Sequence, residues 1–442
     1  MTAKPQILRT QAEQDLIRQF EDRYANGQGG LSLLRHDAFA GLRESGLPHR
    51  RVEDYKYTDL KSAIASVPEI ADRPDLDAAR AVLAKADFWA DMERDRIVFA
   101  DGHYFAELST ADISGITIDG LADALESGRD VTGRIGQLRT EKADASLDMN
   151  TAFMVDGIMV DVAPNRVSDK PVELVFLTVS DKPTSQYVRS AITIGENAKL
   201  SVLETHIGPN ELENHSNVAF ESIVGDGAKV TWVKVQSSGD QAVHLGTHLV
   251  QVAQNANVDQ FTFTKGSKLS RSQSFLTFQG EGSAANLRGV TLLRGKEHAD
   301  LTLLVDHAVP ECESQERFKA VIDDRAKGVF QGKIIVRPDA QKTDGRMMTQ
   351  TLLLSDDAQM ANKPELEIFA DDVQCAHGAT TGQIDEDLLF YLTARGIPQE
   401  QARTLLILAF LGETIEEIGD DVIEERLERM SQVWLLGEEA VL

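Results

Sequence analysis

A short motif recurs through the middle of the chain and constrains the fold more than any other feature. It consists of a turn residue, two spacers, an alanine, a spacer and usually an apolar residue, and its alanines are Ala198, Ala228, Ala256, Ala285, Ala326 and Ala358. Successive alanines are 30, 28, 29, 41 and 32 residues apart. A near-constant step of this size is typical of a solenoid of stacked units. We expect the one long step to contain an insertion or a looser turn.

The segments around the motif have the period of β-strands. From about residue 152, stretches such as "SAITIG", "KVTWVKVQ", "DQFTFTKG" and "KIIVRP" alternate in polarity, with almost no helical pattern between them. Each repeat therefore contains two or more short strands, which fits the stacked coils of a β-helix. An antiparallel sandwich is the alternative, because its hairpins also produce evenly spaced turns. The small alanine after each turn fits a tight inward corner and favours the β-helix.

The regions on either side of the repeats have different patterns. Near the start, Leu16, Phe20 and Tyr24 fall on one face of a predicted helix, and Asp101-Gly102 between two apolar runs predicts a hairpin. After Gly382 the pattern is helical, with Asp385 as an N-cap. We therefore predict a mainly β protein with a mixed helical domain at 1–145, a β-helix at 146–382 and a helical domain at 383–442. A chain of 442 residues is long enough for two or three domains.

Composition and missing motifs exclude several function classes. The net charge is −26, so the basic surface that binds nucleic acid or an anionic membrane is not expected. The first residues lack a signal-peptide pattern, and the two cysteines are too few for a disulfide framework, which together favour the cytoplasm. The sequence contains neither the glycine-rich nucleotide loop ending in Lys-Ser/Thr nor the Gly-x-Ser-x-Gly and His-Glu-x-x-His motifs.

One cysteine and one histidine are the candidate metal ligands. Cys375 and His377 are alternate residues of a predicted strand, so they point to one face with Cα atoms about 6.5 Å apart. Thiolate and imidazole can both bind iron, but a closed tetrahedral site needs about four ligands. The others must come from water, sulfide or another chain. The alternative is a buried cysteine that packs as a small hydrophobe beside a hydrogen-bonded histidine.

Other polar residues are weaker candidates. Asp371 and Asp372 attract cations in one interpretation and are solvated strand ends in the other. His244 and His248 share a strand face, which is no metal signature by itself. We expect Cys312 to be a free thiol outside any metal site, and His307 is an additional candidate ligand.

The second C-terminal helix carries more apolar surface than one face of a lone surface helix requires. We predict that part of this surface binds a partner, through Leu405, Leu408, Phe410 and Leu411.

Several of these segments together resemble a known family. "KPELEIFADDVQCAHGATTGQID", "LFYLTARGI" and "EQARTLLILAFLGE" are similar to the C-terminal signature of the SufB/SufD family of iron–sulfur cluster assembly proteins. "VFQGKIIVRPDAQKTDG" and, near the start, "LPHRRVEDYKYTDL" extend the resemblance, with Tyr55 where tryptophan is usual. The SufD members are the better match because the chain is short and poor in cysteine. Met347 and Thr349 depart from the family pattern, which usually has Gln and Asn there.

The resemblance implies a fold and a role. It implies a right-handed parallel β-helix between an N-terminal mixed domain and a C-terminal helical domain. It further implies a non-catalytic subunit that pairs with a SufB-like paralogue through the β-helix. The C-terminal helices would dock a SufC-like ABC-type ATPase, and the complex would deliver clusters to acceptor apo-proteins. Cys375 and His377 would then hold iron or a nascent cluster at an interface shared with SufB, and a reduced flavin on the complex is a further hypothesis.

Two other function classes stay open at this point. A β-helix enzyme acting on acidic polysaccharide is one, although the acidic balance would repel such substrates and only 6% of residues are aromatic. A purely structural solenoid is the other, and it differs only in whether Cys375 and His377 matter.

Overall fold

The N-terminal region combines helices with three strands. The computed structural model describes residues 9–24, 27, 30–140, 142–168 and 170–437. The elements of this region are α1 Gln11–Tyr24, α2 Gly30–Ser45, α3 Leu60–Ala63, α4 Leu76–Lys85, β1 Asp95–Ala100, β2 His103–Phe105, β3 Ile116–Gly120, α5 Leu121–Glu126 and α6 Ala145–Phe153. The predicted first helix is confirmed, and Leu16 and Phe20 are on its buried face. The predicted hairpin is also confirmed, because β1 and β2 pair antiparallel and Asp101 and Gly102 both have positive φ.

The middle of the chain is a parallel β-solenoid of eight coils, each made of two strands. The strands are β4 Ile158–Val162, β5 Val172–Leu177, β6 Ser185–Ile194, β7 Lys199–Ile207, β8 His215–Val224, β9 Lys229–Ser237, β10 Val243–Val252, β11 Asn257–Lys265, β12 Leu269–Phe278, β13 Ala284–Leu293, β14 His298–His307, β15 Glu313–Ile322, β16 Lys327–Val336, β17 Asp344–Leu353, β18 Gln359–Ile368 and β19 Gln374–Gly382. Consecutive strands alternate between two sheets, and each pairs in parallel with the strand two further on. The predicted β-helix is therefore confirmed, and the antiparallel sandwich is excluded.

The two sheets are named here after their last strands. The β19 sheet contains β5 and the odd-numbered strands from β7 to β19, followed by β1 and β2. The β18 sheet contains the even-numbered strands from β4 to β18, followed by β3. Inward-facing side chains form columns along the solenoid axis, as Leu200, Val230, Val258 and Ala285 do in the main core.

The repeated alanines lie at the corners of the coils, as predicted, and all of them are buried. The expected insertion in the long step is wrong, because the starts of β12, β14, β16 and β18 at residues 269, 298, 327 and 359 remain 29 to 32 residues apart. The motif instead changes corner. Ala285 follows a strand of the β18 sheet, whereas Ala326 follows a strand of the β19 sheet. The step from Ala285 to Ala326 is long because it spans one complete coil and one additional strand.

The C-terminal helices cover the outer face of the β19 sheet. They are α7 Glu386–Thr393, α8 Gln399–Ile415 and α9 Asp421–Leu436. Asp385 caps α7 by accepting hydrogen bonds from the N–H groups of Asp387 and Leu388, as predicted. Ile407 and Leu411 of α8 pack with Phe263 and Val290 of the sheet in one buried apolar cluster. None of the described helices is both long and apolar enough to cross a membrane.

Candidate functional site at the open end of the solenoid

The last strand of each sheet forms an edge. Among the described strands, β18 pairs only with β16 and β19 only with β17. The N–H of Gln374 donates to the carbonyl of Thr343 in the preceding turn at 2.8 Å. Because backbone groups of a strand alternate in direction, those of Cys375, His377 and Ala379 face the open side. The β19 edge therefore offers a row of donors and acceptors to another strand.

The β18 edge has a different character. The N–H of Gln359 donates to the carbonyl of Ala326 at 3.1 Å, so alternate residues from Met360 onward direct their backbone groups to the open side. Pro364 is at one of these positions, where its missing N–H costs no hydrogen bond to β16. Proline at this position interrupts the donor row of the β18 edge and leaves the β19 edge as the better template for pairing.

Cys375 and His377 lie at the open C-terminal end of the solenoid interior, between the edge strands β18 and β19. This opening is called the mouth. In the parallel register Cys375 is opposite Gly345, and His377 is opposite Met347. The column of Cys375 continues inward through Ser314 to Ala285 of the main core, so both side chains point into the lumen and not outward. Cys375 is half-buried against the main core, whereas His377 is exposed. The structure thus brings the two predicted ligands together at an opening.

The environment of Cys375 favours the neutral thiol. Burial raises the pKa of Cys375, and the nearby carboxyl groups of Asp344 and Glu316 act in the same direction, against a smaller opposing effect of the Gly345 backbone. A metal ion that binds here must therefore displace the thiol proton.

The two residues do not form a complete site by themselves. Within the part of the chain that the structure describes, no three or more His, Cys, Asp or Glu residues are grouped so that they could hold a metal ion.

The weaker candidates lie elsewhere. Asp371 and Asp372 are exposed in the turn before β19. Cys312 is fully buried at a corner, where burial raises its pKa and its Sγ is 3.4 Å from the carbonyl oxygen of Gly280. His307 is buried, with Nε2 3.0 Å from the hydroxyl of Ser314.

His244 and His248 are also buried. Each has a ring nitrogen 2.8 Å from a serine hydroxyl, that of Ser216 and that of Ser222 respectively. Both imidazoles are therefore hydrogen-bonded within the solenoid wall.

The apolar surface of the C-terminal helices differs in detail from the expected one. Leu405 is 45% exposed and Leu408 is partly exposed, but Leu411 is fully buried against the β19 sheet. Lys319 of β15 donates to the carbonyl of Phe410 at 2.6 Å, and its ammonium lies 4.6 Å from the centre of the Phe410 ring. Leu411 is thus part of the core, and Phe410 is tied to the solenoid by its backbone.

Among the described C-terminal helices, the most exposed apolar side chains are on α7, and the sequence analysis missed them. Leu388, Phe390 and Tyr391 are 51%, 73% and 53% exposed. The run "LLFYL" was a usable signal, because a helix of 8 residues with apolar residues on all sides cannot bury all of them against one neighbour.

Comparison with known proteins gives a consistent result. The family model of the SufBD core domain of the SUF system for iron–sulfur cluster assembly matches residues 176–410, and the model of the SufBD protein N-terminal region matches residues 10–174. An iron–sulfur cluster assembly SufBD family protein of Synechocystis is 31% identical, over 90% of this chain and 88% of the relative. The iron–sulfur cluster assembly protein SufD of Escherichia coli is 28% identical, over 87% and 89%. A SufBD family protein of Mycobacterium leprae is 30% identical, over 67% and 76%.

Proposed function

Because this chain belongs to the SufBD family of iron–sulfur cluster assembly proteins and is SufD-like, we propose that it is a non-catalytic subunit that pairs with a SufB-like paralogue through the open end of its solenoid. The observation that carries the proposal is that Cys375 and His377 lie at the mouth, on β19, which is the unpaired edge strand of its sheet. An edge strand recruits another strand, and the same contact would bring a second chain to the two ligands.

Pairing at this end also explains the incomplete site. Two ligands from this chain leave about two positions of a tetrahedral iron for sulfide or for side chains of the partner. An interface of ordinary size, on the order of 1,200–2,000 Å², would enclose the mouth and exclude water from the cargo. The iron or nascent cluster is thus shared cargo, held between the two subunits until it is passed on.

The exposed apolar residues of α7 and α8 support a second contact. Leu388, Phe390 and Tyr391 of α7 and Leu405 of α8 expose apolar area; α8 packs on the solenoid, and α7 packs on α8. An exposed apolar helical surface of this kind suits a partner with an apolar groove. We propose that it docks the SufC-like ATPase.

The metal half-site is tested by His377→Ala in the complex co-expressed with its SufB-like and SufC-like partners. We expect at least a tenfold loss of iron per complex, because removing even an outer partner of a metal ligand typically costs ~10–100-fold in affinity. Cys375→Ser should act in the same direction. Melting temperature and iron content are measured on the same samples.

The matched control is Gln374→Ala, an exposed change on the opposite face of the same strand. It should leave the iron content unchanged. A His377→Ala complex with normal iron would refute the half-site.

The docking surface is tested by Phe390→Ser. Because Phe390 is 73% exposed, its loss should leave the melting temperature unchanged while the amount of co-purified ATPase falls severalfold. Deleting the helices is a poorer test, because α8 covers Phe263 and Val290 and its removal would expose them. Full ATPase recovery with Phe390→Ser and with Leu388→Ser would place the docking surface elsewhere.

A further inference from the structure

A methionine lies one strand below His377, whereas a glycine lies below Cys375. Met347 of β17 is opposite His377 in the register and is buried at the mouth of the lumen. Neighbouring strands are about 4.7–4.9 Å apart, so the thioether starts one strand spacing from the imidazole. No other residue of β17 is paired with His377.

The opposite sheet leaves space for this thioether. A Cβ added at Gly332 of β16 would lie 2.5 Å from Met347 Sδ and 2.8 Å from Met347 Cε. Glycine at 332 therefore lets the methionine reach across the lumen and form the floor of the mouth. Cys375 packs against the same core cluster that contains Met347.

We propose that Met347 adds a thioether to Cys375 and His377 and makes the mouth a soft-cation site that prefers copper(I) to iron(II). The inference rests on the proposed metal role of Cys375 and His377 and adds the residue that determines selectivity. Thiolate and thioether ligands favour copper(I), whereas a thioether contributes little to the binding of harder divalent ions. In the structure the sulfur of Met347 lies next to Gly332, and rotation about the bonds of the unbranched side chain would bring it to a metal at the mouth without backbone movement.

Binding under this proposal involves no electron transfer. Copper(I) enters as copper(I), bonds form to Cys375 Sγ, a ring nitrogen of His377 and Met347 Sδ, and the thiol proton passes to solvent. A subunit of this kind would take up copper(I) in competition with its iron cargo whenever the mouth is not covered by a partner.

The test is an anaerobic titration of the purified full-length chain with copper(I) against a chromogenic copper(I) chelator, with a parallel iron(II) titration. Met347→Leu keeps the volume of the side chain and removes only the sulfur. We expect ~10–100-fold weaker copper(I) binding and iron(II) binding within about twofold of the wild type, by analogy with the loss of other supporting groups.

The matched control is Met360→Leu. The sulfur of Met360 is also close to a glycine, because a Cβ added at Gly328 would lie 2.8 Å from Met360 Sδ. Met360 is at the start of β18, whereas the turn to Cys375 follows the end of β18. This variant should bind both metals as the wild type does. X-ray absorption at the copper edge gives an independent readout on the unmodified protein, with two sulfur neighbours expected.

Three results would overturn the inference. One sulfur neighbour in the wild type, or unchanged copper(I) affinity in Met347→Leu, would make Met347 a packing residue only. Equal losses for copper(I) and iron(II) would indicate a general loss of structure at the mouth. Unchanged binding of both metals in His377→Ala and Cys375→Ser would refute the half-site itself, and the inference with it.

Discussion

The two ends of the solenoid are built differently. At the N-terminal end, β1 pairs with β5 and β2 turns back along β1, while β3 pairs antiparallel with β4. At the C-terminal end, β18 and β19 have no further neighbour among the described strands, and most of β19 is exposed. The chain therefore finishes one end with its own residues and leaves the other available to a second chain.

The buried charges differ in the same way. Near the N-terminal end, the buried carboxylate of Glu173 accepts from Arg94 at 2.7 Å and from Arg96 at 3.1 Å. Two strands from the open edge, Glu316 is buried, and no arginine or lysine among the described residues pairs with its carboxyl group, whose polar neighbour is the hydroxyl of Ser314. Burial raises the pKa of Glu316 to about 8, so the acid is largely neutral at pH 7. Two arginines thus stabilise Glu173 as a carboxylate, whereas burial favours the neutral form of Glu316.

The largest expected effect is in the N-terminal region that finishes the solenoid. Phe153 is fully buried and forms edge-to-face contacts with Phe20 and Phe39. Phe153→Ala should lower the free energy of unfolding by about 3–5 kcal/mol, because it leaves a cavity that cannot collapse completely. Denaturant unfolding measures the change.

The matched change at the open end is Phe369→Ala. Phe369 is 60% exposed in the turn before β19, so its loss should change the free energy of unfolding by no more than about 0.5 kcal/mol. Similar losses for both variants would show that the two ends do not differ as described.

The second effect is the pH dependence that Glu316 confers. Its folded pKa of about 8 lies above the unfolded value of about 4.3. The stability that neutral Glu316 contributes to the folded state is therefore complete below about pH 4, and it is lost as the pH rises toward 8. Relative to Glu316→Gln, the wild type should lose about 3–4 kcal/mol between pH 5 and pH 8.

Unfolding curves of both proteins at several pH values give this difference. Parallel pH profiles for the two proteins would mean that Glu316 is solvated or paired in solution. If the partner covers the mouth, the loss of stability should extend to higher pH in the complex than in the isolated chain, because further burial raises the pKa of Glu316 again.

The third and smallest effect concerns the β19 edge, through which we propose that the SufB-like partner binds. Ala379→Pro removes an N–H that faces the open side and keeps the bonds to β17, so the melting temperature should change little. Affinity for the SufB-like partner should fall at least tenfold, which is about 1.4 kcal/mol. The control, Thr380→Pro, removes an N–H that faces β17 and should destabilise the edge itself. Unchanged affinity with Ala379→Pro would mean that the partner binds another surface.

Local features were predicted well from the sequence. The turn at Asp101-Gly102, the N-cap at Asp385 and the buried corner alanines all depend on residues close together in the chain. The role of Leu411 could not be read in this way, because helical periodicity does not say which side of an apolar helix meets the sheet. The same uncertainty hid the exposed residues of α7. The domain boundaries at residues 145 and 382 stay predictions.

The sequence by itself determined the repeat, the strand period and the pairing of Cys375 with His377 on one face, because turn chemistry and alternation act over a few residues. Only the tertiary structure decided which residues meet across coils about 30 residues apart. It placed Met347 opposite His377 and buried Glu316 away from the described arginines and lysines, and it moved the alanine motif from one corner to the other without an insertion. Register between coils depends on the summed packing of a whole layer, and no single segment carries that information.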